Sequence, residues 1–572
     1  MITIGRYPSI KVKNPTHSIF IKFKYSYQIV EKIKSLPVRF YEPVNKVWEM
    51  PIQDIDRLLG LFGKDNIAVH GEFPEVNQYF AIQEEKSNKR STSELIEYYK
   101  KIKCEAEYKF KTAPDGHQIE SFNKALHMDK FLITDVMGLG KTKQAIDIMD
   151  YKKSINEVSH VLVICGVNGV KYNWQEEISK HSWNTSQVID GTTKKKLKTL
   201  DEYAQATYSI INIESLRLKV KKDKYGVEYN ANEVLAKIVN LVNSGKIQAI
   251  ILDEFHKVNN HKSQQGKGIK YLQCKYMVAL SGTPITKAIE KSWNILNWFG
   301  YETTAYWNFV KRYCILGGFT GYQTIGYKNL DEMHNRFDRY QVRRTKDILS
   351  LPPKTHKTVY VEMSAKEQVE YDLLKSGIRK EIESGEVVKE LATSIVLRLR
   401  QFTDTVKIRA VKETIEELSE NNEPCVIFST YKAPIKTLTD ELKEKAPLVL
   451  TGDVTKAEEK QDIIKTFQED ISRNVLIGTI QAMGTGYTLT KAQYVLFLNK
   501  SWTINENEQA EDRCHRRGTT GNVTVISYVV KDSIDEHVEK ILKADKIYID
   551  KIVDGVPLFK NSSVVWNEIL GD

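Results

Sequence analysis

Short runs of β-branched and other apolar residues recur along the chain with helical patterns between them. This alternation limits the possible folds more than any other feature. In the first half the runs are FLIT (131–134), HVLVIC (160–165), YSIINI (208–213), QAIIL (248–252) and MVAL (277–280). A second series follows at CVIFST (425–430), PLVLTG (447–452), NVLIGT (474–479), YVLFL (494–498) and VTVISYVV (523–530). Continuous apolar runs suit strands covered on both faces, and strands that alternate with helices pair in parallel. The expected fold is α/β, with two lobes in tandem, each a parallel sheet with helices on both faces.

The chain has 572 residues, room for roughly three or four domains of about 100–200 residues, and 41% of them are hydrophobic, enough for several cores. Residues 1–107 read as a small α+β domain and linker: a strand-like SIFIKF (18–23), a helical SYQIVEKIKSL (26–36) and a polar EEKSNKRSTSE (84–94). The first lobe is expected over 108–350, a helical connecting segment over 351–420, the second lobe with a C-terminal helix over 421–552, and a tail over 553–572. No apolar run approaches the roughly 18 residues a membrane span needs, and the N-terminus lacks the apolar core of a signal peptide. The six cysteines stand apart without metal-ligand spacing, as expected of reduced cytosolic thiols. A net charge of +10 is compatible with a polyanion partner, though lysine-rich solvated faces give the same value. Richness in Lys, Ile and Asn suggests a protein of the bacterial cytoplasm, or of a host cytoplasm if viral.

Four motifs carry chemistry. DVMGLGKT (135–142) lies between the strand-like FLIT and a helical KQAIDIMDY. Strand, glycine loop and helix is the context in which backbone N–H groups and a helix N-terminus cradle phosphate. Met137, Gly138, Leu139 and Gly140 would form the cradle, Lys141 would reach the β- and γ-phosphates of ATP, and Thr142 would ligate Mg²⁺. ILDEFH (251–256) ends an apolar strand in two acids. Asp253 suits Mg²⁺, and Glu254 suits orienting the attacking water, with His256 placed to link this site to what lies beyond. SGTP (281–284) offers Ser281 and Thr283 at a strand end, where hydroxyls can sense a γ-phosphate. In QAEDRCHRRG (509–518), Arg513 and Arg516 share a helix face and could neutralise charge developing on a transferred phosphoryl group. Each has a plainer alternative: a glycine turn, an acidic strand end, a Gly-Pro turn, a solvated basic helix end. Their order across two lobes favours the chemical reading of all four.

Taken together these motifs resemble superfamily 2 helicases, in particular the SWI/SNF-like group of double-stranded DNA translocases. The resemblance covers about residues 108–550 and adds GHQIESF (116–122), NWQEE (173–177), NIESL (212–216), QVRRTKDILSLPPK (341–354) and GTIQAMGTGYTLTKA (478–492). It implies RecA-like lobes, and ATP and Mg²⁺ bound between them with Gln118 against the adenine. It further implies His256, Ser281, Thr283 and Gln509 in coupling, and DNA contacts from Asn173, Ser215, Thr430, Thr485 and Gly486. Val136 stands where the group has Glu, and Trp502-Thr503-Ile504 where it has Trp-Asn-Pro.

Residues 23–50, with LPVRFY and the isolated Trp48, resemble the HARP domain of annealing helicases. A small domain with Tyr41 and Trp48 in its core is the alternative. The resemblance implies a monomeric, ATP-driven translocase that remodels branched DNA by branch migration, fork reversal or annealing. Other readings are a strand-separating helicase, a translocase that strips proteins from duplex DNA, and a DNA-binding scaffold with a silent ATP site. Of the lysine-rich segments KKKLK (194–198) and KVKKDKYG (219–226), the second is compatible with a hairpin that touches DNA.

Overall fold

A computed structural model describes residues 1–7, 18–36, 39–71, 73, 76, 91–166, 170–223, 226–230, 232–285, 288–317, 321–349, 351–383, 389–483 and 487–553. The first lobe holds a seven-stranded sheet in the order Gln341–Val342, Lys130–Ile133, Tyr276–Leu280, Ala249–Asp253, Val161–Cys165, Tyr208–Asn212, Ser186–Val188. Every pairing in it is parallel. Along Val161–Cys165 the odd positions enter one core and Leu162 and Ile164 enter the other. This is why the strand reads as an unbroken apolar run.

The strand order sets the site. After Lys130–Ile133 the chain skips two places to Val161–Cys165, and the two strands that later fill the gap are Ala249–Asp253 and Tyr276–Leu280. Register aligns Ile133 with Leu280 and Leu280 with Asp253. The glycine loop, SGTP and DEFH therefore leave the sheet side by side at the carboxyl ends of adjacent strands, where open α/β sheets bind ligands.

The second lobe's sheet has six strands, all parallel, in the order Lys354–Val361, Val523–Val530, Tyr494–Phe497, Cys425–Ser429, Val475–Thr479, Leu448–Leu450. The first of these corrects the expected boundary. Residues 351–420 are not simply a helical connection: Lys354–Val361 pairs along its whole length with Val523–Val530 and belongs to this lobe. Helices Ala365–Glu383 and Lys389–Glu420 follow it, and the second packs on the sheet's core through Val406, Val411 and Ile415. The C-terminal helix Ile534–Val553 runs between the lobes, its Val538 and Leu542 against Ile504 of the second and its Ile549 against the core of the first.

The N-terminal domain is a five-stranded sheet with helices Tyr27–Lys34 and Ile55–Phe62. Trp48 packs against its core, and its ring lies 5.4 Å from that of Tyr41, which is 47% exposed. The domain is fastened to the first lobe by ions: Arg312 bridges the buried Asp54 and Glu332, and Glu332 also pairs with Arg57 at 3.0 Å. The polar stretch 84–94 does not stay a linker to its end. Ser91 and Glu94 cap one another's backbone N–H groups and start the helix Thr92–Lys101. Lys219–Asp223 and Gly226–Asn230 do form an antiparallel hairpin. The tail beyond 553 lies outside the described residues.

Candidate nucleotide site between the lobes

The phosphate loop takes its shape from two left-handed glycines, Gly138 (φ 91°) and Gly140 (φ 73°). Gly140's left-handed backbone favours glycine, and a β-carbon there would stand 2.5 Å from Nε2 of Gln118, which would have to move. Gly140 caps helix Lys141–Ser154 without a side-chain acceptor, which leaves its first N–H groups for an anion. The Leu139 carbonyl accepts from Nε2 of Gln118 at 3.3 Å and of Gln144 at 3.1 Å, and lies 3.0 Å from Nε2 of His117. Gln118 is thus the buried brace of the loop.

Asp135, where phosphate loops commonly have glycine, is fully buried. Its carboxylate accepts from Gln144 Nε2 at 3.0 Å, from the Arg344 backbone N–H at 2.9 Å and from the Arg344 guanidinium at 3.3 Å. Arg344 belongs to QVRRTK. The substituted residue therefore ties the loop to the segment that leaves the first lobe. Nothing in the spacing shows this pairing, since the partners are 209 positions apart.

One cleft gathers residues from both lobes. The first supplies Met137, Gly138, Gly140, Lys141, Thr142, Asp253 and Glu254; the second supplies Arg513 and Arg516. Lys141 donates to the Asp135 carbonyl at 2.9 Å, and burial lowers its pKa against the opposing pull of Glu254 and Asp135. Burial and the neighbouring Arg516 bring Arg513 down to about 10. Two arginines kept together without full solvation favour an anion between them. Asp253 accepts from Trp174 Nε1 at 2.9 Å, and its pKa is raised by burial and by the charge of Glu254. Burial would raise Glu254 too, but the proximity of His256, with Lys141 and Lys257, holds it low. Glu254 sits in the left-handed region (φ 53°), a strain of about 1–2 kcal/mol for a non-glycine residue.

The cleft's four cations, Lys141, Lys257, Arg513 and Arg516, face four carboxylates, Glu177, Asp253, Glu254 and Asp512. A triphosphate thus lacks surplus positive charge until a divalent ion is added. The donors fit that ion: the Thr142 hydroxyl and the Asp253 carboxylate are hard oxygens in the same cleft. Magnesium is held by one or two carboxylates plus phosphate and water.

The four residues read as coupling residues fall into two places. Nδ1 of His256 lies 3.1 Å from Glu254 Oε2 and 3.1 Å from Ser281 Oγ, which in turn accepts from the Thr283 N–H. Thr283 and Gln509 line a second opening between the lobes. The residues read as DNA contacts fare differently. Asn173 lines the nucleotide cleft beside Trp174, because helix Val170–His181 runs beside the phosphate loop. Ser215 is buried, donating to Asn212 Oδ1 and accepting from Lys196 Nζ. Thr430 donates both its backbone N–H and its hydroxyl to Asn499 Oδ1. Thr485 and Gly486 lie outside the described residues. The motifs did not single out Trp174, Glu177, Lys257 or Arg344, although Trp174 and Glu177 lie within NWQEE and Arg344 within QVRRTK.

Direct ties join the lobes around this site. Lys346 donates to Asp512 Oδ1 at 2.7 Å and to the His515 carbonyl, and Arg517 pairs with Asp115 at 2.6 Å.

The chain is similar to several known proteins. The SNF2-related domain matches residues 115–408 and the helicase conserved C-terminal domain matches 406–518. The SWI/SNF-related matrix-associated actin-dependent regulator of chromatin subfamily A-like protein 1 of Drosophila melanogaster is 25% identical, over 92% of this chain and 66% of its own. The DNA annealing helicase and endonuclease ZRANB3 of Homo sapiens is 24% identical, over 71% and 37%. An uncharacterized ATP-dependent helicase of Mycoplasma genitalium is 24% identical, over 81% and 45%. The chain spans about half the length of several of the curated relatives it matches. The SWI2/SNF2 ATPase core of Sulfolobus solfataricus in complex with dsDNA aligns at a TM-score of 0.37 and 22% identity, covering 81% of this chain and 97% of that one. With the SNF2-related domain matching just over half of its residues, the chain belongs to the SNF2-related family.

Proposed function

We propose that this protein is an ATP-driven translocase on double-stranded DNA that remodels branched DNA, by branch migration, fork reversal or annealing. The observation that carries the ATPase part is the shared cleft, with Lys141, Asp253 and Glu254 from one lobe and Arg513 and Arg516 from the other. Lys141 would bind the β- and γ-phosphates, and Glu254, 3.1 Å from His256, would orient and polarise the attacking water. The two arginines would meet the charge that develops on the γ-phosphoryl group. Thr142 and Asp253 would hold Mg²⁺, which when bound supplies charge neutralisation between the phosphates. A site built from two lobes works only when they approach, so binding and release of nucleotide would move them relative to one another. With each lobe gripping the phosphate backbone, that motion becomes stepping, largely independent of sequence.

The branched-DNA part rests on the N-terminal domain. An alignment covering 92% of the chain cannot fit within residues 108–572, so the likeness to the Drosophila protein reaches into that domain. The Asp54–Arg312–Glu332 bridge fixes it to the first lobe, so it would travel with the motor. The protein would act as a monomer in the cytoplasm; among the described residues no helix is long and apolar enough to cross a membrane.

The test compares a mobile four-way junction or model fork with a simple tailed duplex, each with ATP and Mg²⁺, and Lys141→Ala as control. The proposal predicts that the junction is resolved or the fork regressed while the tailed duplex survives. Equal opening of the tailed duplex makes the protein a strand-separating helicase. Neither reaction, with normal ATP turnover, favours displacement of bound proteins. No turnover at all leaves a DNA-binding scaffold.

A further inference from the structure

Apart from the nucleotide cleft, the first lobe carries a chain of aromatic rings at its surface. The His261 ring is 3.9 Å from that of Tyr306, and both lie 5.6 Å from Trp293. Tyr306 adjoins Trp307 at 5.7 Å, and Trp307 meets Tyr322 at 6.1 Å. Trp307 is 50% exposed and Tyr322 73%. Exposed rings of this size are costly to leave in water without a use. Helix Tyr306–Tyr313 explains their placement: Phe309, Val310 and Tyr313 fill the core, which turns Trp307 and Lys311, one turn apart, outward together.

The surroundings are basic. Lys270 Nζ sits 4.0 Å over the Trp293 ring, and the charges of Lys262, Lys270 and Lys267 all bear on His261. A carboxylate, Glu290, lies near Tyr306, where it accepts from Cys314 Sγ at 3.6 Å. Rings for stacking with cations beside them are what unpaired nucleotides require, since every base has a π-face and every linkage a negative charge.

The rings are also fastened to the ATP site. The segment carrying His261 begins directly after DEFH. Asn294, fully buried, donates to the carbonyls of Val258 at 2.7 Å and Gly266 at 3.0 Å, and Asn259 donates to that of Pro284 in SGTP at 3.1 Å. Movement at His256 and Ser281 would therefore be felt at the rings.

We propose that Trp307 and Tyr322, backed by Tyr306, His261 and Lys311, form a stacking platform for single-stranded DNA, taking about two or three unpaired bases of the strand displaced at a branch. This rests on the translocase reading and adds a second, distinct DNA surface to it.

The test uses the full chain and fluorescence anisotropy with two probes, a labelled oligothymidylate of about 20 nucleotides and a duplex of equal length. Wild type is compared with the double variant Trp307→Ala/Tyr322→Ala and with Trp307→Phe. Both rings are exposed, so the fold should stand, and an unchanged thermal transition checks it. Single-strand affinity should fall about tenfold or more for the double variant, with Trp307→Phe keeping most of it. Duplex affinity and duplex-stimulated ATP turnover should not change. Unchanged single-strand affinity overturns the platform. So does an equal loss on both probes, which makes the rings part of a common duplex surface. Self-association of the wild type that the double variant abolishes overturns it in favour of a protein contact. If wild type shows no duplex-stimulated turnover, the translocase reading fails by itself, whatever the oligonucleotide does.

Discussion

Replacing Arg344 by methionine keeps much of the side chain's bulk and removes its charge. Arg344 is 7% exposed, and its guanidinium donates to Glu120, Ser121 and Asp135. Glu120 is partly solvated, so losing the ion pair there costs little. Asp135 is not: with no exposure it would keep only the Arg344 backbone N–H and the Gln144 amide. Stranding one partner of a buried ion pair costs about 3–5 kcal/mol. The two retained hydrogen bonds place the expected loss near the lower end, about 3 kcal/mol, or roughly a hundredfold in the unfolding equilibrium. Urea denaturation followed by tryptophan fluorescence should show it in the first lobe's transition. Because Asp135 opens the phosphate loop, the ATP concentration for half-maximal turnover should rise as well. Adding Asp135→Asn removes the stranded charge and should restore more than about 1 kcal/mol. A single variant within about 0.5 kcal/mol of wild type, or a double variant no better than the single, refutes the reasoning.

Gly140→Ala should weaken ATP binding about tenfold by calorimetry: the left-handed backbone costs about 1 kcal/mol and the new methyl group displaces the Gln118 amide, 2.5 Å away, from the Leu139 carbonyl; unchanged affinity would show that the loop relaxes freely. Lys407→Met should cost about 3–5 kcal/mol, because Lys407 lies between the buried carboxylates of Asp404 and Asp535, at 3.0 and 2.8 Å; a drop in the second lobe's thermal transition reads it, and no drop would mean that these acids are already protonated. Burial favours the protonated form of Glu511, but His356 and Lys354 outweigh it and hold the carboxyl down to about 2, from an ordinary 4.5. A depressed carboxylate stabilises the fold above its unfolded pKa and loses that contribution as pH falls, here between about 4.5 and 2. Allowing for solvent around His356, this amounts to about 2 kcal/mol. The gap in denaturation midpoint between wild type and Glu511→Gln should therefore narrow from pH 5 to pH 3, and a constant gap contradicts the linkage.

The interior strands were readable because both of their faces are buried, which leaves an apolar run in the sequence. Lys354–Val361 left none: it is an edge strand, its residues from Thr355 to Tyr360 are exposed, and KTHKTVYV looks like any polar connector. The glycine loop and the DEFH acids could be found because each is a local pattern; the arginines were found by their spacing, though the helix ends at Cys514 and only Arg513 lies on it. Their supports could not be found. Asp135–Arg344 and Trp174–Asp253 join residues 209 and 79 positions apart, and only the fold brings them together. The helix Thr92–Lys101 could have been found, since Ser91 and Glu94 have capping-box spacing.

The most direct test of the central claim is ATP turnover with and without duplex DNA, for wild type, Lys141→Ala and Arg516→Ala. A catalytic cleft shared by two lobes predicts DNA-stimulated turnover in wild type and none in Lys141→Ala. It also predicts a loss of about a thousandfold in kcat for Arg516→Ala, with ATP affinity changed only a few-fold. Turnover in Arg516→Ala equal to that of wild type would contradict the account, because the second lobe would then have no part in the chemistry.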